Sequence, residues 1–194
     1  MKHIIKSLVL SAAAAVVLAP MPARADGFFI PWVGSGFGNN IQDGRGTFGV
    51  SGGAMGAGGV VGGEVDFGWN PSFFGPSGQF GNNSVIDVIG NVIVGVPIGG
   101  TRGGGIRPYL VGGGGLIRTQ FDQTTSPFNP VTSRNMFGWD AGGGVMGFFS
   151  DHVGLRGDLR YLRATHDINS GINSIDLKNN RLDFWRASIG VVFR

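Results

Sequence analysis

Leu155-Arg156-Gly157-Asp158-Leu159-Arg160-Tyr161 decides how this chain is read. Its odd positions are apolar or neutral and its even positions carry charge. Successive side chains of a β-strand point to opposite faces, so this stretch sets a lipid-like surface against a face of mixed charge. The same parity recurs in five other segments, each about one membrane thickness long. The pattern predicts an all-β protein: an eight-stranded, antiparallel, up-and-down transmembrane β-barrel.

Strands are expected near Phe28–Gly38, Thr47–Gly56, Val60–Trp69, Val85–Val96, Arg107–Phe121, Asn135–Phe149, Val153–Thr165 and Asp183–Phe193. Ten residues at about 3.3 Å each, tilted by about 40°, cover the apolar band of an outer membrane. The connections Asn70–Ser84, Asp122–Arg134 and His166–Leu182 are long and polar, whereas Ala57-Gly58-Gly59 and Ser150-Asp151-His152 are short. Pro97–Ile106 is a longer, glycine-rich turn. Long loops outside and short turns in the periplasm are the habit of such barrels, and an even strand number lets the sheet close without sticky edges.

Taking the parity with large apolar residues as lipid-facing gives Val61, Val65, Phe67 and Trp69 in the third strand and Ile86, Val88, Val92 and Val94 in the fourth. It gives Val111, Ile117 and Phe121 in the fifth, Phe137, Trp139, Val145 and Phe149 in the sixth, and Trp185, Ile189, Val191 and Phe193 in the eighth. The expected inward charges are then Glu64, Asp66, Asp87, Asp140 and Asp158 against Arg118, Arg156, Arg160 and Arg186. Inward glycines are expected at Gly112, Gly114, Gly142 and Gly144, where a tightly curved wall needs small residues. The first two strands hold no charge that tests the choice.

Aromatic residues sort by height on the outward parity. Trp69, Phe121, Phe137, Trp139, Tyr161 and Trp185 fall toward the extracellular ends, and Tyr109, Phe149 and Phe193 toward the periplasmic ends. Two belts of amphipathic rings at the two interfaces are what a bilayer favours.

The N-terminus supplies an export route. Lys2 and Lys6 precede the apolar run Leu8–Leu18, then Pro20, Pro22 and the small-x-small triplet Ala23-Arg24-Ala25. This predicts a signal peptide over residues 1–25 and a barrel domain over residues 26–194, exported to the outer membrane. The chain has 15 Lys+Arg against 12 Asp+Glu. Lys2, Lys6 and Arg24 leave with the signal while every acid lies at Asp26 or beyond, so the mature balance is neutral. Nucleic-acid binding thereby loses its electrostatic support. Cysteine is absent, which excludes disulfides and thiolate chemistry, and no cofactor is implied.

Arg107-Pro108-Tyr109-Leu110-Val111-Gly112-Gly113-Gly114, Gly154 through Tyr161, and the aromatic-ended last strand resemble the small bacterial outer-membrane β-barrel domain proteins of the OmpA/OmpX type. The resemblance covers essentially the whole mature chain. It implies contact with outer-membrane lipid and lipopolysaccharide, and assembly by the outer-membrane barrel machinery, which reads a last strand ending in an aromatic residue. Here Arg194 follows Phe193.

An eight-stranded barrel has an interior only wide enough for side chains to fill. The nine inward charges are therefore expected to plug the lumen; the alternative is a narrow ion or small-solute channel, disfavoured by the mixed signs. A rim-located hydrolase is the second alternative. Gly49-Val50-Ser51-Gly52-Gly53 matches a nucleophile elbow in letters only, because Ser51 falls inside a strand. His152 reads as a solvated turn residue. His166-Asp167, followed by Ser170, sits near the outer rim, but adjacent strand residues point to opposite faces. Phe73, Phe74 and Phe80 either tuck over the barrel mouth or face an unidentified extracellular ligand. The expected role is structural or surface interaction, without catalysis.

Overall fold

Alternation of in-facing and out-facing residues, interrupted by glycine-rich and polar connections, produces eight strands and no helix among the described residues. The computed structural model describes residues 26–38, 44–56, 58–73, 82–101, 103–122, 132–167 and 182–194. The strands are β1 (Asp26–Phe37), β2 (Arg45–Met55), β3 (Val61–Pro71), β4 (Asn82–Gly95), β5 (Gly105–Asp122), β6 (Thr132–Phe148), β7 (Val153–Asp167) and β8 (Asp183–Phe193). Each pairs antiparallel with its neighbours in sequence, and β1 pairs with β8 to close the barrel. No unpaired edge remains. The β1–β8 ladder skips Ile30 and Pro31, where proline has no N–H to give.

The strands differ in height. β5 and β6 run for 18 and 17 residues against 11 for β2, β3 and β8, and β5 begins four residues before its pairing with Gly95, the end of β4. On the long-loop side β6 runs past the end of β7 and β7 past the start of β8, forming a raised wall there. The segment expected to be a signal, together with Phe74, Phe80 and Ser170, lies outside the described residues.

Two apolar clusters fill the ends of the interior. Phe28, Ile30, Met55, Ile93, Tyr109, Val111, Met146, Phe148 and Val192 pack at the short-turn end. Phe73, Val85, Ile89, Ile117, Leu162, Ala164, Leu182 and Phe184 pack at the long-loop end. Phe73 therefore does tuck into the mouth, its ring edge-on to Phe184 at 4.9 Å. The outer face carries Val61, Val92, Leu110, Val145, Leu155 and Ile189, all exposed, as a lipid-facing surface requires.

One strand inverts the expected faces. On β5, Val111 and Ile117 are buried inside while Leu110 is 71% exposed outside. Tyr109 is accordingly inside, 4% exposed, and is no part of an interfacial belt. Arg118 is exposed on the outside and belongs to no lumen network. The outward positions include Gly112 and Gly114, while Gly113 and Gly115 press against the backbone of β4 on the inside. The cause is that β5 bears apolar residues on both parities and one arginine on each. Hydropathy alone does not choose between them, because the ends of a small barrel are packed with apolar side chains too. Arg118 is tolerated outside because it lies twelve residues beyond Ile106. That is about 30 Å along the barrel axis, more than the roughly 25 Å of the apolar band. The side chain of Phe121 lies outside the described residues.

Candidate functional site: the charged layer of the lumen

Between the two apolar clusters lies a layer of ionised side chains. Glu64 and Asp66 come from β3, Asp87 from β4, Asp140 from β6, Arg156, Asp158 and Arg160 from β7, and Arg186 from β8. All eight are buried. Alternation dictates this: each faces inward because its sequence neighbours face lipid. With Arg118 outside, five carboxylates meet three guanidiniums in this layer rather than four.

Arg160 is the hub. Its Nη2 donates to Glu64 Oε1 at 2.5 Å, its Nη1 to Asp140 Oδ2 at 3.1 Å, and its Nε to Asp158 Oδ1 at 2.7 Å. Arg156 sits one register step below, donating to Glu64 Oε2 at 2.5 Å and to Asp158 Oδ2 at 2.8 Å. Tyr109 completes this group. Its hydroxyl donates to Asp158 at 2.5 Å, accepts from Arg156 Nε at 2.5 Å, and its ring lies 4.8 Å from the Arg156 Cζ. The Cβ that Gly142 lacks would lie 3.0 Å from Arg160 Cγ and closer still to the β7 backbone, so glycine there makes the approach possible.

A second group surrounds Arg186, which donates to Asp66 and, at 3.0 Å, to Asp87 Oδ2. Its guanidinium lies 4.3 Å from the Trp32 ring, and Trp32 Nε1 donates to Asp66 at 3.1 Å. Ser51 Oγ donates to Asp66 at 2.6 Å, and Asn70 Nδ2 to Asp87 at 3.1 Å. A side chain at Gly68 would collide with the Arg186–Asp87 pair. Arg160 and Asp66, 3.9 Å apart, join the two groups.

In a ring of eight strands, β3 stands opposite β7 and β4 opposite β8. The Arg156–Glu64, Arg160–Glu64 and Arg186–Asp87 pairs therefore tie facing walls together across the lumen. The void left among Trp32, Ser51, Asp66, Arg156, Asp158, Arg160, Arg186, Ser188 and Gly190 is about 10 Å³, room for a single water. Both amide atoms of Asn91 and Asp140 Oδ1 are buried without hydrogen-bond partners, outside that void.

The remaining candidates fall elsewhere. Trp139, Tyr161 and Trp185 stack along the outside at ring separations of 5.7 and 5.3 Å, and Tyr161 donates to Asp183 at 2.8 Å. Trp69 contacts Phe48 at 6.3 Å, and Phe137 is exposed at the same end. Phe149 and Phe193 are exposed at the short-turn end. Ser51 lies within β2 with its hydroxyl committed to Asp66, so the nucleophile-elbow geometry is absent there. His152 occupies an exposed turn, its N–H bonded to Ser150. His166 and Asp167 end β7, with side chains outside the described residues. No group of three or more His, Asp or Glu among the described residues is placed to hold a metal ion.

Sequence reasoning missed the neutral partners Trp32, Ser51, Asn70 and Tyr109. One signal for them was available: once β2 and β3 are paired, Ser51 stands directly opposite Asp66.

A closed antiparallel barrel with an apolar outer face, outward aromatic rings and a charged interior filled by side chains is a transmembrane barrel of the outer-membrane type. The sequence matches the outer membrane protein beta-barrel domain over residues 10–194, and the chain belongs to that family; its location is the outer membrane. No curated protein matches the sequence. Among solved structures it is similar to Neisserial surface protein A, with a TM-score of 0.62 and 15% identity over 86% of this chain and 96% of that one. It is also similar to the N-terminal β-barrel domain of Pseudomonas aeruginosa OprF, with a TM-score of 0.52 and 16% identity over 87% and 98%. A third is Ail, the attachment invasion locus protein of Yersinia pestis, solved with the heparin analogue sucrose octasulfate: TM-score 0.52, 14% identity, 88% and 99%. At these identities the likeness is one of fold.

Proposed function

We propose that this chain is a structural or surface-interaction barrel whose lumen is held shut by its ion-pair layer. The observation that carries the reading is the reach of Arg160 from β7 to Glu64 on β3 and Asp140 on β6, with Arg186 reaching from β8 to Asp87 on β4. A conducting path needs one sign of charge around open water, whereas here both signs bond to each other across the bore. Purified protein in planar bilayers is expected to give no steady conductance. Reproducible, ion-selective steps from the wild type would replace the plug with the channel.

The surface role is assigned to the long-loop end, where the Trp139–Tyr161–Trp185 row would meet outer-leaflet lipid, lipopolysaccharide included. The loops above that row would present any extracellular ligand. Export is assigned to residues 1–25 as a cleaved signal, followed by delivery to the barrel assembly machinery through the strand ending at Phe193. N-terminal sequencing of membrane-extracted protein should begin near Asp26, and an intact Met1 would remove this assignment. No catalysis is assigned.

A further inference from the structure

The short-turn mouth contains a guanidinium to which no carboxylate among the described residues is bonded. Arg107 is the third residue of β5 and faces inward; it is 3% exposed, and its Nε has no hydrogen-bond partner. It takes part in no ion pair among the described residues. Two turns cover it: a Cβ on Gly59, in the β2–β3 turn, would lie 3.0 Å from Arg107 Nη2 and 3.1 Å from Thr101 Cγ2 of the β4–β5 turn. Its ring neighbour is Phe148, 5.5 Å from Cζ to centroid.

Arg194 sits against the same ring, at 3.7 Å. Its side chain is 6% exposed and donates to Asp26 Oδ2 at 3.2 Å and to the Thr101 carbonyl at 2.9 Å. Asp26 is thus spoken for by Arg194. The other carboxylate at this mouth, Asp151, is exposed and accepts the Gly103 N–H at 2.5 Å. Asp26 is near enough to act on Arg107 electrostatically, but neither acid bonds to it. Since both arginines flank one ring, their guanidinium carbons are no more than about 9 Å apart.

A buried guanidinium with no bonded carboxylate is an expensive arrangement, and buried charges in proteins are paired or bind ions. The cation–π contact with Phe148 offsets part of that cost and satisfies no N–H. Planar guanidinium forks match the oxygens of phosphate, with charge-assisted bonds of about 2.8 Å. We propose that the short-turn mouth is a binding site for a phosphate group, held by Arg107 with the Arg194 Nε, likewise buried without a partner, as the second donor. The site is separate from the lumen layer and stands whether or not that layer closes the bore. The phosphate comes either from solution or from a phospholipid headgroup at the adjacent interface.

The test uses the full barrel refolded in dodecyl maltoside, which contains no phosphate. Inorganic phosphate is titrated against chloride at constant ionic strength, and the Arg107 Nε–H and the Thr101 and Gly103 amide resonances are followed by NMR. A parallel titration adds phosphatidylglycerol to the micelles without free phosphate. The expected result is a saturating shift of these resonances, with the Arg118 Nε–H unmoved. Arg107→Met, which keeps the apolar stem, should weaken the response at least tenfold. Saturation by inorganic phosphate identifies a soluble ion as the source, and saturation by phosphatidylglycerol alone identifies a headgroup; either supports the site. No saturating response to either probe, or an equal response in Arg107→Met, overturns it. If that variant does not refold, the wild-type titration decides by itself.

Discussion

The barrel buries arginine in two places and treats it in two ways. In the middle of the lumen, Arg160 is surrounded by Glu64, Asp140 and Asp158, and each guanidinium nitrogen finds a carboxylate. At the short-turn mouth, Arg107 is almost as little exposed but lies nearer the end of the barrel, resting against the Phe148 ring with its Nε unbonded. The same side chain at similar exposure is part of a cross-wall tie in one region and an unanswered charge in the other. The difference lies in what faces it. β3, β4 and β6 present carboxylates to β7 and β8 at mid-height, while at the mouth the facing elements are glycine-rich turns. Burial alone therefore does not distinguish a structural arginine from a binding one; the partner inventory does.

The largest effect is expected at the hub. Arg160→Met would leave the buried Glu64, Asp140 and Asp158 with fewer or no counter-charges. Breaking a buried pair by removing one partner costs about 3–5 kcal/mol. Urea unfolding of the barrel in lipid vesicles should show a loss of this size. A loss under about 1 kcal/mol would mean that water already reaches the layer and that the contrast with the mouth is false.

A charge placed where neither region can hold it gives the next effect. Ile189 is outward on β8, 57% exposed, beside the inward Ser188. Ile189→Arg should cost about 2–4 kcal/mol in vesicles if it lies near the midplane of the bilayer. Stability equal to wild type would show that this face does not meet hydrocarbon.

Much of this was legible because the outward and inward sets differ in chemistry. Strands β3, β4, β6, β7 and β8 each carry a charge whose neighbours on either side are apolar, glycine or small, so parity fixes which face is buried. β8 was expected with the bounds observed, and β7 with the same start. β5 was not legible, because Val111 and Ile117 compete with Leu110 and Leu116 for the lipid face, and Arg107 competes with Arg118 for the inside. Only the pairing with β4 and β6 resolves that tie. The role of Tyr109 was hidden for the same reason. An aromatic near a strand end reads as an interfacial ring until β7, two strands away around the barrel, offers its hydroxyl Asp158. Arg107 went unnoticed because a lack of partners is a property of three dimensions, which one sequence does not display.

Coupling in the layer sets a smaller effect. Among the described residues Asp140 forms its ion pair with Arg160 alone, so this pair gives a clean cycle. The cost of Arg160→Met combined with Asp140→Asn should fall short of the sum of the single changes by about 1–3 kcal/mol. Additive losses, measured by the same urea titrations, would mean that the two residues act independently and that the layer is a set of isolated contacts.

The smallest effect belongs to the third kind of arginine. Arg118 is on the outer face of the raised β5–β6 wall, exposed, and beyond the height of the apolar band. It answers no buried carboxylate and lies under no turn. Exposed substitutions away from such features shift stability by less than about 0.5 kcal/mol. Arg118→Met should therefore unfold with wild-type urea dependence, and should leave the phosphate response of the mouth at the opposite end untouched. The measurement also checks the face assignment of β5 directly. If Arg118 were inside, as parity by hydropathy suggested, its removal would strip a counter-charge from the acidic layer and cost several times more. A loss approaching that of Arg160→Met would restore Arg118 to the lumen, send Arg107 to the lipid face, and dissolve the contrast between the layer and the mouth.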